Sequence, residues 1–237
     1  FKGPRFRKGH IIQPEDIPVL LSIGKENLYV WEKTPGILHE DEAAALLYKA
    51  AAGKNIHGTE AKEGKIELVA DCDGLLKIDR AALLAVNRTP QMMIATVHGD
   101  LPVKKGAKIA GTRIIPLVIE QEKMDAMQQA AGPEPILNIL PFHPKTFAVI
   151  TTGSEVFKGR IEDKFTPVLV QKLAEYGCKM TFHRVCDDDP AGITAAIREA
   201  KAQGCELIFT TGGMSVDPDD RTPLAIKNTG ADIVSYG

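Results

Sequence analysis

Hydrophobic and polar positions along the chain follow two different grammars. Up to about residue 144, short apolar runs at residues 28–31, 65–69, 94–97, 108–109 and 114–119 alternate with turns marked by Gly and Pro. That pattern predicts a strand-rich α+β region with a few helices. The clearest helix is predicted over residues 40–52. Ala43, Leu46, Leu47 and Ala50 recur on one face, Asp41 and Glu42 suit the positive end of the helix dipole, and Gly53 stands where a left-handed cap is wanted. A shorter helix is predicted over residues 80–86, with Asp79 as its N-cap. Residues 8–12 predict a strand that leads into a helical turn at 15–17.

The stretch 130–144 concentrates helix breakers (Gly132, Pro133, Pro135, Pro141 and Pro144) and predicts a boundary between a first domain, 1–144, and a second, 145–237. Beyond it the grammar changes. Residues 147–150 read as a short buried strand, Thr166-Pro167 as N-cap and first residue of a helix that Gly177 closes, and residues 179–185 as the next strand. Asp189-Pro190 repeats the start signal for a helix ended by Gly204, residues 207–209 form a third strand, and Thr222-Pro223 opens a third helix with Gly230 beyond it. The alternation β-α-β-α-β-α predicts a Rossmann-like, three-layer α/β unit with a mainly parallel sheet and right-handed crossovers. Ligands in such sheets bind at the carboxyl ends of strands.

Composition narrows the classes of function. Lys and Arg number 29 against 31 Asp and Glu, a net charge of −2, so no global basic field drives nucleic-acid binding. Lys2, Arg5, Arg7 and Lys8 read as a solvated end. No apolar run approaches the ~20 residues that span a bilayer, and no signal-peptide pattern follows Phe1, so the expectation is a cytoplasmic protein without a membrane segment. The absence of an initiator Met fits a trimmed chain. Cys72, Cys178, Cys186 and Cys205 form no C-x-x-C pair and the six histidines are dispersed, so neither a zinc ribbon nor a His-based metal site is expected.

The candidate chemistry sits at the strand ends. The first strand runs into Thr151-Thr152-Gly153-Ser154-Glu155 and the third into Thr210-Thr211-Gly212-Gly213-Met214-Ser215, so a similar turn recurs at equivalent ends of two parallel strands. Glycines there permit positive φ and close approach to backbone N–H groups, and the hydroxyls add donors and acceptors, which suits a phosphate or carboxylate. The second strand ends in Cys186-Asp187-Asp188-Asp189, and the glycine loop continues to Asp219-Asp220-Arg221-Thr222-Pro223. Asp189, directly before Pro190, reads as a helix cap. Asp187, Asp220 and, at the entry to the first helix, Asp163 are acids that must be solvated, share Mg²⁺ or face a ligand's donors.

These motifs resemble the molybdopterin-binding domain found in molybdopterin adenylyltransferases, molybdopterin molybdotransferases, the enzymatic parts of gephyrin and competence-damage-inducible proteins. Thr152-Gly153-Ser154-Glu155 is similar to that family's T-G-x-E, Gly159 with Asp163 to its G-x-x-x-D, and Val185-Cys186-Asp187-Asp188 to its v-x-D-[DE]. Thr211-Gly212-Gly213-Met214-Ser215-Val216 with Asp220 resembles the molybdotransferase form, whereas Pro218-Asp219-Asp220-Arg221-Thr222-Pro223 resembles the adenylyltransferase form. The chain departs from these forms at Asp217, Ser215 and Asp219. Residues 8–17 and the later strands resemble accessory regions of multi-domain members.

The resemblance implies that Thr152, Gly153, Ser154, Glu155, Asp163, Thr211, Gly212, Gly213, Met214 and Ser215 bind molybdopterin or adenylylated molybdopterin. It makes Asp187 and Asp220 the catalytic acids and Asp220 a ligand of Mg²⁺, with molybdate as substrate. The implied activity is that of a molybdotransferase inserting molybdate with release of AMP. A non-catalytic carrier or sensor of the cofactor, and a competence-type nucleotide pyrophosphatase on the same fold, are the alternatives. The implied partners are a small-molecule pterin, a second copy in a homo-oligomer, and other cofactor-biosynthesis proteins or molybdoenzymes. Members of the family continue past the equivalent of Gly237, so part of the pocket is expected beyond it.

Overall fold

A computed structural model describes residues 6, 10–27, 34–214 and 220–235. Pro14–Asp16 forms a 3-10 turn that continues into α1 (Ile17–Ser22). Then follow β1 (Ile37–His39), α2 (Glu40–Ala51), β2 (Ile56–Gly58), β3 (Lys65–Ala70), β4 (Gly74–Ile78), α3 (Arg80–Asn87), β5 (Met92–Thr96), β6 (Pro102–Val103), β7 (Lys108–Ile114), β8 (Val118–Glu120), α4 (Gln121–Ala131) and β9 (Leu137–Pro141). These strands make three small sheets, in the orders β1-β8, β2-β3-β7-β5 and β6-β4-β9, and every ladder in them is antiparallel. One buried cluster unites them, with Leu47 of α2, Leu68, Leu76, Ile114, Met124 and Met127 of α4, and Leu137 fully enclosed.

Local signals account for most of these elements. Asp79 caps α3 by accepting the Ala81 and Ala82 N–H groups, each at 2.9 Å. Four expectations are corrected. The run 114–119 is two strands, because Pro116 between Ile114 and Val118 lacks the N–H that a ladder needs. Residues 10–13 form no strand; the predicted strand at 28–31 lies outside the described residues. Gly53 is not a left-handed cap. It is absent from the positive-φ glycines, and a Cβ there would strike Asn138 and come within 2.7 Å of the Leu137 carbonyl, so glycine serves the close crossing of β9. The breaker-rich stretch also holds a strand, β9, which pairs with β4.

A second buried cluster belongs to the later elements: β10 (Thr146–Thr152), α5 (Ser154–Phe157), α6 (Phe165–Ala174), β11 (Lys179–Cys186), α7 (Pro190–Ala202), β12 (Leu207–Thr211) and α8 (Thr222–Asn228). The three strands form a parallel sheet in the order β11-β10-β12. The expected alternation and parallel sheet are present. β10 is central, and its residues 147–152 are all buried. Alternation along it divides the layers: Ala148 and Ile150 pack with Ile193 and Ala196 of α7 and Ala225 of α8. Thr151, on the other face, meets Thr166 of α6.

Two helix starts differ from expectation. The helix predicted to begin at Thr166 begins at Phe165, because Asp163 accepts the N–H groups of both Phe165 and Thr166. Thr222 is the first residue of α8 rather than its cap, which leaves its hydroxyl free to turn inward. Asp189 caps α7 as expected, accepting the Ala191 and Gly192 N–H groups. No described helix is long and apolar enough to cross a membrane.

Candidate functional site

The strand order locates the site. From β10 the chain crosses to β11 on one side, then returns past it to β12 on the other, so the loops after β10 and β12 part in opposite directions. A crevice opens at such a switch point, outside the carboxyl ends of the strands. Here it is a cleft of about 780 Å³, walled by the Thr151–Gly153 and Thr211–Gly213 ends of the two strands and by Asp163, Asp188 and Asp220. Parallel pairing in register, Thr151 opposite Thr211, brings the two similar turns side by side.

The glycine turn after β12 is fixed by two hydroxyls. Gly212 and Gly213 lie at φ +86° and +56°, and a Cβ on Gly213 would come within 2.7 Å of Thr222 Oγ1. Thr222 Oγ1 donates to the Gly212 carbonyl at 3.1 Å, Thr152 Oγ1 donates to the Thr211 carbonyl at 3.0 Å, and the two hydroxyls lie 3.0 Å apart. The carbonyls of the turn are thereby held away from the cleft, while the Gly212 and Gly213 N–H groups donate to no described residue.

The turn after β10 is built differently. Gly153, at φ 132°, donates its N–H to the Cys186 carbonyl at 3.2 Å, and Ser154 donates its N–H to Asp188 Oδ2 at 2.8 Å. Both amides are therefore spent on the neighbouring strand end.

The four acids have different surroundings. Asp163 accepts four hydrogen bonds: the Phe165 and Thr166 N–H groups on Oδ1, and the Thr151 and Thr166 hydroxyls on Oδ2 at 2.8 and 2.5 Å. Burial pushes its carboxyl up, but the Thr166, Thr151 and Phe165 hydrogen bonds outweigh it and hold the group at about 2. With both hydroxyl protons committed to Asp163, His183 Nε2, 3.2 Å from Thr151 Oγ1 and 3.4 Å from Thr166 Oγ1, is the donor in those contacts. Asp163 is thus a saturated brace. Asp187 accepts the Asp188 N–H at 3.0 Å and does not line the cleft. Asp220 does line it, and its Oδ2 is buried with no hydrogen-bond partner among the described residues; Thr211 Oγ1 shares that state. Buried polar atoms are seldom left unpaired, which makes these two oxygens the candidate ligand-facing atoms of the cleft.

Of the residues expected from the sequence, Thr152, Gly153, Glu155, Asp163, Thr211, Gly212, Gly213 and Asp220 meet in the cleft. Ser154 contributes its amide to Asp188, Met214 is exposed outside the lining, and Ser215 lies outside the described residues. Asp188, Thr151 and Lys164 line the cleft without having been singled out. The run of three aspartates signals an acid at this strand end, but not which one turns inward.

Residues 148–236 match a family model described as a probable molybdopterin binding domain. That segment is thus similar to molybdopterin-binding domains. Residues 1–32 match a domain of unknown function. Among curated proteins, a CinA-like protein of Mycobacterium sp. (strain JLS) is 39% identical over 78 residues, 33% of this chain and 18% of that protein. The chain thus spans under a fifth of the length of the curated relatives it matches. Two solved structures are similar over the same share of the chain. CinA of unknown function from Thermoplasma acidophilum is 28% identical, covering 36% of this chain and 50% of that one, at a TM-score of 0.35. The tungsten cofactor synthesizing protein MoaB from Pyrococcus furiosus is 29% identical, covering 36% and 52%, at a TM-score of 0.34.

Proposed function

We propose that the cleft of the molybdopterin-binding domain takes molybdopterin in its adenylylated form and that the protein acts as a molybdotransferase, inserting molybdate with release of AMP. Residues 145–237 are the binding unit in this reading and residues 1–144 an accessory domain. The observation that carries it is the buried Asp220 Oδ2, without a hydrogen-bond partner among the described residues, in the same cleft as the Gly212 and Gly213 amides, which donate to none of those residues. Open amides in a glycine turn suit an anionic group, and a carboxylate beside them suits a cation shared with that group.

Among the described residues no three His, Cys, Asp or Glu side chains gather as a metal site. In this reading Mg²⁺ would be held by one carboxylate, Asp220, together with ligand phosphates, since Mg²⁺ is commonly bound by one or two carboxylates plus substrate oxygens. The lining carries Glu155, Glu162, Asp163, Asp188 and Asp220 against one lysine, Lys164, so a polyanion entering without a cation meets repulsion. Bound Mg²⁺ would supply charge neutralisation at the phosphates. Asp220 orients that end of the ligand, and the Gly212–Gly213 turn grips it.

A single-turnover assay tests this reading: adenylylated molybdopterin, molybdate and Mg²⁺, with AMP followed for the protein and for Asp220→Asn. The expected result is AMP release that needs both molybdate and Asp220. Binding without release would instead make the protein a cofactor carrier or sensor. A second reading is the one that the resemblance to competence-type proteins implies, hydrolysis of a nucleotide pyrophosphate at the same cleft. Turnover of ADP-ribose in place of the pterin would establish it.

A further inference from the structure

We propose that Asp188 is the positioning residue of the cleft: its carboxylate clamps the turn after β10 to the end of β11 and leaves the Gly212–Gly213 turn as the face that receives the ligand's anionic end. The inference rests on the pterin-binding reading for its ligand, but the clamp itself can be tested without one.

Three observations carry it. Asp188 Oδ2 accepts the Ser154 N–H at 2.8 Å, a charge-assisted bond that carries the contact between β10 and β11 two residues past their last ladder pair, Thr152 with Cys186. The turn it holds is short: α5 is a single turn of four residues entered through Gly153 at φ 132°, closed by the Phe157 and Lys158 N–H groups on the Gly153 and Ser154 carbonyls, and so short a helix gains little stability from its own hydrogen bonds. Its second strut, Gly153 N–H to the Cys186 carbonyl, is longer at 3.2 Å and comes from the same strand end. Glu155 and Val156 line the cleft from this turn, so their positions depend on the clamp.

The clamp also sets polarity. A carboxylate already seated on the Ser154 amide repels an anion from that wall, while the amides of Gly212 and Gly213 across the cleft donate to no described residue. Asp188 therefore directs the ligand by occupying one of two similar turns. Asp187, one residue earlier, cannot do this, because its Oδ1 is engaged with the Asp188 N–H and it stands outside the lining.

The test uses the full chain with Asp188→Ala and Asp188→Asn. Amide hydrogen exchange in the ligand-free protein should show Ser154 losing about tenfold or more of its protection in D188A and keeping most of it in D188N, whose side-chain oxygen still accepts. Titration with molybdopterin should show Kd rising about tenfold or more in D188A, with most of the loss restored in D188N. Unchanged Ser154 protection in D188A overturns the clamp whatever the ligand. Lost protection with an unchanged Kd overturns the positioning role. If wild type binds no molybdopterin while the exchange pattern holds, the pterin reading fails and the clamp stands. Should D188A fail to fold, a D188N protein that also loses Ser154 protection counts against the proposal.

Discussion

The hydroxyl of Thr222, at the start of α8, lies 3.0 Å from that of Thr152, at the end of β10, although 70 residues separate them. Together they fasten the glycine turn, with Thr222 bonded to the Gly212 carbonyl and Thr152 to the Thr211 carbonyl. Thr222 is almost fully buried, so Thr222→Val takes away the hydroxyl that donates to the Gly212 carbonyl. A loss of about 1–2 kcal/mol in unfolding free energy is expected by urea denaturation, together with weaker ligand binding.

Gly212 tolerates no side chain. At φ +86° its Cβ would strike the Thr152 carbonyl, which is backbone and cannot yield. Gly212→Ala is expected to cost about 3 kcal/mol or more and to abolish binding. Gly159→Ala is the control: φ is +69°, but nothing lies within 4 Å, so only the strain of about 1 kcal/mol applies. Thermal melts of the two variants side by side check the contrast.

The Asp163 brace predicts a pH window. Its folded pKa, about 2, lies below the ordinary 3.8, so the unfolded chain binds the proton more tightly. The stabilisation is therefore complete above pH ~4 and is lost as pH falls toward ~2, by about 2 kcal/mol in all. Asp163→Asn should be less stable at pH 7 and should lack this part of the acid dependence, which denaturant unfolding between pH 2 and 6 measures.

Asp220 should trade stability for function. Its buried Oδ2 has no partner among the described residues, and an uncharged amide costs less to bury than a carboxylate. Asp220→Asn is expected to raise the stability of the ligand-free protein by about 1 kcal/mol while removing AMP release. Calorimetry beside the single-turnover assay would show both; a lower melting temperature would contradict the assignment.

Asp189 separates capping from chemistry. Its carboxylate serves the Ala191 and Gly192 N–H groups and does not line the cleft. Asp189→Ala should lower stability by about 1 kcal/mol and leave the molybdopterin Kd unchanged, as titration can verify.

The sequence by itself determined what rests on a few neighbouring residues. Asp79 and Asp189 were legible as caps because a short acid beside free N–H groups has one local use. The alternation from residue 146 onward was legible as a parallel α/β unit, and the paired Thr-Thr-Gly turns as its ligand end. Pattern and turn chemistry are set within one element and its flanks.

Tertiary structure alone decided the rest. The order β11-β10-β12 put the two turns beside one switch point, and long-range pairing, not local propensity, fixes that order. Asp163, Asp187, Asp188 and Asp220 are alike as letters, yet one is saturated by four donors, one stands outside the cleft, one accepts the Ser154 N–H and one has an oxygen without a partner among the described residues. Gly53 is glycine because β9 passes against it, and β9 itself hid in a stretch full of prolines. Each of these outcomes depends on which atoms from distant segments arrive within hydrogen-bonding or van der Waals distance, a property of the packed chain rather than of any window along it.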